Sequence, residues 1–462
     1  MKKIPKGALL TIIITLYGGM IALVNQSVLN NALQVIMKDF AVSNNAVQWL
    51  TTGFSLVMGI VVPITAFLIQ RFSTKSLFAA AMGFLVGGTL LCAIAPSFGM
   101  LLTGRIIQAI GAGIILPLAQ TLIFILVPVS KRGLYMGIMG LALSFAPAIA
   151  PVLIGWLVEK YSWHLIFYGL LPSSTAITIL GLIMLKNVSL QVKKTLDWLS
   201  VCFSTIGFGG LLYGFSNVGR KGWGSAETLV SLAVGTIALV LFVWRQLTVT
   251  TPLLELRVFK SGAFTIGTVI SMVLMIVMLS SQLLLPLYMQ NMLGYSAFKS
   301  GLMLLPGAIV LGIMSPVAGG LFDKLGAKLV ITIGLVIITV TSLMFAQLTE
   351  VTSYTYLIVV YSIRMVGISL TLMPSVTSGM NTLSPDLIPH GIPVNTTMRT
   401  IAGSFGMVVL VTIMTNTGGA DIPNMIHGMN VVSLVTAGTS VAALVLTFCM
   451  KRKQPEIIKV AV

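Results

Sequence analysis

Acidic residues are scarce in this chain. Its 462 residues include only 10 Asp and Glu against 27 Lys and Arg, and charged residues make up 8% of the sequence. Soluble domains carry about 25% charged residues, so the composition excludes an ordinary soluble protein. Hydrophobic residues make up 57% of the chain and the mean hydropathy is +1.04, which indicates an integral membrane protein.

Cysteine and histidine are also rare, with three of each. The cysteines all lie inside apolar runs and show neither a disulfide framework nor the spacing of metal ligands. The sequence contains no nucleophile–base pair, metal cluster or phosphate-binding loop, so an enzyme, a bound metal and an organic cofactor are not expected. Nucleic acid is not an expected partner, because the net charge of +17 comes from basic residues in short loops between apolar runs.

Apolar runs of helix length are abundant. Fourteen runs are each close to the ~20 residues that cross a bilayer as an α-helix, and no loop between them is long enough for a soluble domain. The sequence therefore predicts an all-α integral membrane protein with 14 transmembrane helices. The runs cover residues 8–27, 46–69, 77–95, 98–126, 133–157, 163–185, 198–217, 227–245, 262–288, 300–321, 328–348, 353–378, 394–416 and 430–450.

The basic residues predict the orientation in the membrane. When loops are assigned alternately to the two sides, 20 Lys and Arg fall on the side of the N-terminus and five on the other. Because Lys and Arg accumulate in cytoplasmic loops, both termini are predicted to be cytoplasmic. The lipid bilayer of the cell membrane is the expected environment.

Two pairs of segments resemble each other at a distance of eight spans. TAFLIQRFSTKSLF follows span 2 and AGGLFDKLGAKLVI follows span 10, while GRIIQAIGAGIILP in span 4 resembles IRMVGISLTLMP in span 12. Repeated halves with a site between them are typical of secondary transporters. The expected organisation is an N-terminal six-helix bundle over 1–186, two linker helices over 187–250 and a C-terminal six-helix bundle over 251–462.

The loop after span 10 carries Asp323, Lys324 and Gly326. Glycines let two helix ends approach closely, and the acid can pair with a base or with the N-terminus of a neighbouring helix. The loop resembles the signature loop of the major facilitator superfamily; the alternative is a tight turn with cytoplasmic basic residues. In the first-half copy Gln70 replaces the acid before Arg71. A conformational contact made by that acid is therefore expected to be weak or absent in the first half.

Span 4 contains Arg105, which is a functional candidate because an arginine within a membrane span is costly. Gln108 follows three residues later and lies near the same helix face. The stretch resembles the fourth-helix motif of the same superfamily, whose arginine is thought to couple proton movement to the substrate cycle in related antiporters. The alternative is an arginine near a helix end that reaches the membrane surface. Arg364 lies deeper, in span 12.

Spans 5 and 13 carry further motifs. Pro147, Pro151 and Gly155 belong to a stripe of small residues and prolines that allows close crossing and bending, and resembles the antiporter signature of fifth helices; ordinary tight packing is the alternative. Asn395 and Arg399 lie in a stretch similar to span 13 of the 14-helix drug:proton antiporters, the EmrB/QacA-like branch. The resemblance covers essentially the whole chain.

Span 1 ends in the amide-rich stretch ALVNQSVLNNAL. Aligned without gaps to the family's first-helix pattern, Asn25 takes the place of an acid and Asn30 matches an asparagine. Gln26, Asn30 and Gln34 are four residues apart, which predicts a polar stripe facing a bundle interior; the alternative is a helix end surfacing into a loop. No acid or histidine lies in the middle of a predicted span, although proton-driven pumps normally use one as a relay.

The resemblance implies a secondary-active multidrug exporter of hydrophobic or amphipathic compounds in a bacterial cell membrane, coupled to protons and working by alternating access. The missing acids favour an alternative on the same fold, a flippase of lipids or lipid precursors or an uncoupled facilitator; a non-transporting sensor is a third. The expected path or coupling residues are Asn25, Gln26, Asn30, Arg105, Gln108, Gln120, Gln282 and Arg364. The expected conformational residues are Arg71, Pro147, Pro151, Gly155, Asp323, Lys324, Gly326, Asn395 and Arg399.

Overall fold

The computed structural model of the chain describes residues 5–29, 32–142, 144, 157, 161–188, 191, 196–419 and 421–450, and their regular structure is helical. Two short 3-10 turns cover Val129–Lys131 and Leu256–Lys260. The helices are α1 (Lys6–Ser27), α2 (Leu33–Asp39), α3 (Asn44–Val47), α4 (Trp49–Arg71), α5 (Thr74–Ala93), α6 (Phe98–Leu126), α7 (132–142), α8 (His164–Met184), α9 (Trp198–Lys221), α10 (Ala226–Thr248), α11 (Gly262–Asn291), α12 (Ala297–Leu325), α13 (Ala327–Phe345), α14 (Tyr354–Met380), α15 (Ile388–Thr417) and α16 (Ile422–Phe448).

Thirteen helices within the described residues are long and apolar enough to cross a membrane. They coincide with 13 of the 14 predicted runs, because their apolar composition excludes them from water and their backbone polar groups bond within each helix. The structure describes the first part of the remaining predicted run, 133–157, as α7, and most of residues 143–157 lie outside the described residues. The total of 14 spans and the cytoplasmic termini therefore stay predictions.

The chain packs into two units, and the first comprises Met1–Val127, Ala142–Leu256 and Ile392–Val408. Its core lies where α5 and α6 pack together with α1 and α4. Glycines bring α5 and α6 into backbone contact: a Cβ at Gly88 would stand 2.6 Å from the carbonyl oxygen of Gly104. The hairpin of α9 and α10 belongs to the same unit.

The second unit comprises Pro128–Leu141, Arg257–Gly391 and Val409–Val462. Its core joins α11, α13, α14 and α16. Close glycine contact recurs here, since a Cβ at Gly367 would stand 2.8 Å from the carbonyl oxygen of Gly334. The predicted bundle and linker boundaries at residues 186 and 250 stay predictions.

One expectation about the end of span 1 is wrong. α1 ends at Ser27 and a separate helix begins at Leu33, where Gln34 is exposed, so Gln26 and Gln34 do not share a buried helical stripe. Polar side chains here bond to the backbone: the Ser27 hydroxyl donates to the carbonyl of Leu23 at 3.0 Å. The predicted stripe is therefore interrupted between α1 and α2.

Candidate functional site

Arg105 of α6 is completely buried within the first unit. Its Nε donates to the backbone carbonyl of Leu50 at 3.2 Å. Its Nη1 donates to the backbone carbonyl of Asn25 at 2.6 Å and to Oε1 of Gln108 at 2.9 Å. These contacts exclude the alternative in which the guanidinium reaches the membrane surface.

Gln108 connects three helices, because its side-chain amide bonds in three directions. Besides accepting from Arg105, it donates from Nε2 to Oδ1 of Asn25 on α1 and to Oγ1 of Thr89 on α5, each at 2.9 Å. The Asn25 side chain in turn donates to the carbonyl of Ile21 at 3.0 Å. Asn25, Thr89 and Gln108 are all fully buried, so this network replaces water for polar groups in an apolar bundle. We call these three residues and Arg105 the Arg105 network.

The positive charge of Arg105 is balanced without an ion pair in the described part of the chain. The guanidinium carbon lies 4.4 Å from the ring centroid of Phe54, a cation–π contact that adds to the carbonyl contacts. Its Nη2 is buried and has no hydrogen-bond partner among the described residues. The two N–H groups of Nη2 are thus left for water or a ligand.

Local sequence explains why α5 and α6 can hold this network. The Ser73 and Ser97 hydroxyls cap the two helices by accepting from the backbone amides of Ser76 and Met100. At the point of crossing, a Cβ on Gly88 would stand 2.7 Å from the backbone nitrogen of Gln108. A larger residue there would push Gln108 away from Thr89.

Arg364 of α14 occupies a comparable but simpler environment in the second unit. It is 4% exposed, and its Nη2 donates to Oγ of Ser342 on α13 at 2.7 Å. Its guanidinium carbon lies 5.3 Å from the ring centroid of Phe345, and its Nε has no partner among the described residues. An amide network like that around Arg105 is not present among the described contacts of Arg364.

Asp323 caps the N-terminus of α7. Its two carboxylate oxygens accept from the backbone nitrogens of Gly133 and Leu134, each at 2.9 Å. A negative charge at a helix N-terminus is favourable. The close packing of α12 against α7 needs glycine on both helices, since a Cβ on Gly319 would stand 2.0 Å from the carbonyl oxygen of Gly133. Gly326 ends α12 with φ of +85°, a conformation that favours glycine.

The other candidate residues are dispersed. Gln120 and Asn395 are buried, Gln26 and Arg399 are half-buried, and Arg71, Lys324 and Gln282 are exposed. Among the described contacts, Gln26, Gln120 and Gln282 do not join the Arg105 network. The predicted site residues Asn30, Pro147, Pro151 and Gly155 lie outside the described residues.

Sequence reasoning missed one member of the Arg105 network, the hydroxyl of Thr89, and two groups that contact Arg105, the ring of Phe54 and the carbonyl of Leu50. Apolar runs contain many such residues, and a backbone carbonyl has no sequence signal of its own. Only the crossing of α4, α5 and α6 brings these groups to Arg105.

Comparisons with known proteins agree with this architecture. The family model described as Major Facilitator Superfamily matches residues 15–407. The chain is 46% identical over 446 residues to the "Uncharacterized MFS-type transporter YcnB" of Bacillus subtilis, covering 96% of this chain and 94% of the relative. It is 42% identical over 399 residues to the "Lincomycin resistance protein LmrB" of Listeria monocytogenes, covering 86% and 85%.

A solved structure shows the same fold. The human organic anion transporter MFSD10 (TETRAN) superposes with a TM-score of 0.68 at 13% sequence identity, covering 96% of this chain and 100% of that one. The family model that matches residues 15–407 and the relative that is 46% identical show that the chain belongs to the major facilitator superfamily and is a multi-pass transporter of the cell membrane.

Proposed function

We propose that this transporter exports hydrophobic or amphipathic compounds by secondary-active, proton-coupled alternating access. The observation that carries the proposal is the fully buried Arg105 network. A buried charge with an unbonded donor is costly in a protein that needs only stability, and such groups within membranes mark transport paths. The similarity to a protein named for lincomycin resistance supports export of antibiotics or related compounds.

The network suits a cycle with more than one arrangement. Its bonds join Arg105 to α1 and α4 and join Gln108 to α1 and α5, so a shift of any one helix exchanges partners around the guanidinium. Amide groups both donate and accept, and can therefore re-pair at low cost when helices move. Proton coupling within this proposal rests on the family resemblance.

A second candidate is an uncoupled facilitator or a flippase of lipids or lipid precursors. It is favoured by the partners of Arg105, which in the described residues are carbonyls, an amide and an aromatic ring. None of these groups gains or loses a proton near neutral pH, so none of them is a proton relay.

Uptake into inside-out membrane vesicles separates the candidates. Vesicles containing the protein are energised with a proton gradient, and lincomycin accumulation is measured for the wild type, Arg105→Ala and the control Lys38→Ala, at an exposed basic residue of α2. The proposal expects gradient-dependent accumulation that is lost in Arg105→Ala and kept in Lys38→Ala. Equal transport after the gradient is collapsed favours the second candidate, and equal transport by Arg105→Ala contradicts the role of the network.

A further inference from the structure

A second polar site lies on the other side of α4 from Arg105. It is a cavity of about 260 Å³ within the first unit, bounded by α4, α9 and α15. Two of the three helices are distant in sequence from the Arg105 network, and α9 belongs to the predicted linker. Six hydroxyl side chains line it: Thr51, Thr52, Ser55, Ser216, Thr400 and Ser404. We call it the hydroxyl cavity.

Most of these hydroxyls are not bonded to protein. The Thr51 hydroxyl donates to the carbonyl of Gln48, the residue before α4, at 3.0 Å, and the Thr400 hydroxyl donates to the carbonyl of Thr396 within α15 at 2.9 Å. Helical serines and threonines usually bond in this way. The remaining four hydroxyls have no hydrogen-bond partner among the described residues. Three helices thus present hydroxyls without a protein partner among the described residues to one cavity. Ser55 is exposed and Thr52, Ser216 and Ser404 are half-buried, so a ligand that enters the cavity can reach these hydroxyls and bond them.

The rest of the lining that the structure describes is apolar and carries no charged side chain. Leu212 and Phe215 of α9 and Met407 of α15 supply apolar surface beside the hydroxyls. Phe215 is itself fixed by packing against Phe405, with ring centroids 5.3 Å apart. A charged ligand would gain no ionic partner from this lining, whereas an uncharged head could accept hydrogen bonds from the hydroxyls, so the lining favours an uncharged head.

The volume limits how much of a ligand can enter. Pockets that enclose a whole drug-sized molecule measure roughly 300–1,000 Å³. The hydroxyl cavity falls below that range, so it accommodates a polar head and the first part of a chain. Thr397, which lines a smaller adjoining space, adds a buried hydroxyl without a partner among the described residues.

We propose that the hydroxyl cavity binds the polar head of an uncharged amphiphile whose hydroxyl, ether or amide groups accept hydrogen bonds. The predicted linker helix α9 then forms one wall of a binding site in addition to connecting two bundles. Binding at this cavity is separate from export and can be measured without it, so a failure of the proposed export does not affect the test.

Protection of an introduced cysteine tests the site. The exposed Cys202 and Cys449 are replaced by serine, Ser404→Cys is added, and the protein is placed in lipid nanodiscs. The rate at which a membrane-permeant maleimide labels the cysteine is measured in the presence of one of three probes: octyl β-D-glucoside, octyltrimethylammonium or octyl sulfate. These probes share a chain length and differ in head charge. The matched control is Ser173→Cys on α8, a half-buried position whose hydroxyl already bonds Leu170.

The expected result is selective protection. At ten times its dissociation constant, the glucoside slows labelling of Ser404→Cys about tenfold, because occupied sites do not react. The charged probes and the Ser173→Cys control show no such slowing. Equal protection by all three probes, equal protection at both positions, or no protection by the glucoside overturns the proposal.

A second pair of measurements keeps the test independent of one variant. Thr52→Cys, on α4, serves as an alternative reporter if Ser404→Cys folds poorly. Adding Ser55→Ala and Ser216→Ala to the reporter raises the glucoside concentration for half-protection by about tenfold, since two hydrogen bonds are removed. An unchanged concentration shows that these hydroxyls do not bind the head and contradicts the assignment.

Discussion

Arg105 reaches Asn25 through the backbone carbonyl, at 2.6 Å, while the Asn25 side chain bonds Gln108 at 2.9 Å. Asn25, which the sequence predicts to stand in the place of a family acid, therefore contacts the guanidinium by its main chain, and its side chain bonds a neighbouring amide. The position next to a buried arginine is occupied, yet it carries no charge. Several consequences of this arrangement are measurable.

Asn25→Asp is expected to restore a titratable group beside Arg105. The carboxylate would accept from Gln108 and lie next to a guanidinium whose Nη2 has no partner among the described residues. We expect the transport rate of the variant to depend more strongly on pH than that of the wild type, because only the variant can bind a proton here. Transport rates in liposomes between pH 5.5 and 8 measure this. Identical pH profiles would show that the position takes no part in coupling, and Asn25→Leu controls for loss of the amide.

Gln108→Leu is expected to destabilise the protein more than Gln120→Leu does. Both glutamines are buried on α6, but only Gln108 bonds Arg105, Asn25 and Thr89. Leaving buried partners unsatisfied costs about 1–3 kcal/mol, so the melting temperature should fall clearly for Gln108→Leu alone. Thermal unfolding in nanodiscs compares the two. Equal shifts would mean that the network adds no stability.

Asp323→Ala is expected to slow transport and lower stability, whereas Asp323→Asn keeps much of both. Alanine removes both acceptors from the backbone nitrogens of Gly133 and Leu134, while asparagine keeps one oxygen. Loss of such a helix cap costs about 0.5–2 kcal/mol. Lys260→Ala, at an exposed position in the same unit, is the control. If all three variants melt and transport alike, the cap on α7 has no role.

Asp197 and Arg245 form an ion pair between the start of α9 and the end of α10, with bonds of 2.7 and 2.9 Å. Hydrogen bonds from Arg245 lower the pKa of Asp197 to about 2, so the pair's contribution is present above the unfolded pKa near 4 and is lost as pH falls toward 2. The free energy of unfolding of the wild type should therefore exceed that of Asp197→Asn by up to about 1 kcal/mol at pH 7, and this difference should shrink below pH 4. Melting temperatures from pH 7 to pH 3 check this, and a constant difference contradicts it.

The helices could be predicted from sequence because apolar length alone decides which segments leave water. The spacing of Arg105 and Gln108 placed both on one face of α6, and they are hydrogen bonded in the structure. The prediction of one continuous polar stripe beyond the end of α1 is wrong, since a repeat of amides at four-residue intervals does not indicate that the helix ends at Ser27.

The site's remaining groups depend on contacts between segments distant in sequence. Leu50, Phe54 and Thr89 are ordinary members of apolar runs until α4 and α5 pack against α6. The hydroxyl cavity was still harder to predict, because it is formed by α4, α9 and α15 together. The serines and threonines of each single run do not indicate a binding site. Helix positions follow from composition, whereas polar sites between helices follow from packing.

Substrate-driven proton movement tests the central claim most directly. The purified protein is reconstituted in liposomes loaded with a pH-sensitive dye, a proton gradient is imposed, and lincomycin is added to wild type and to Arg105→Ala. The account predicts proton flux that depends on the compound in the wild type and is abolished in Arg105→Ala. Transport of the compound by the wild type without any proton flux would contradict proton-coupled export through the Arg105 network.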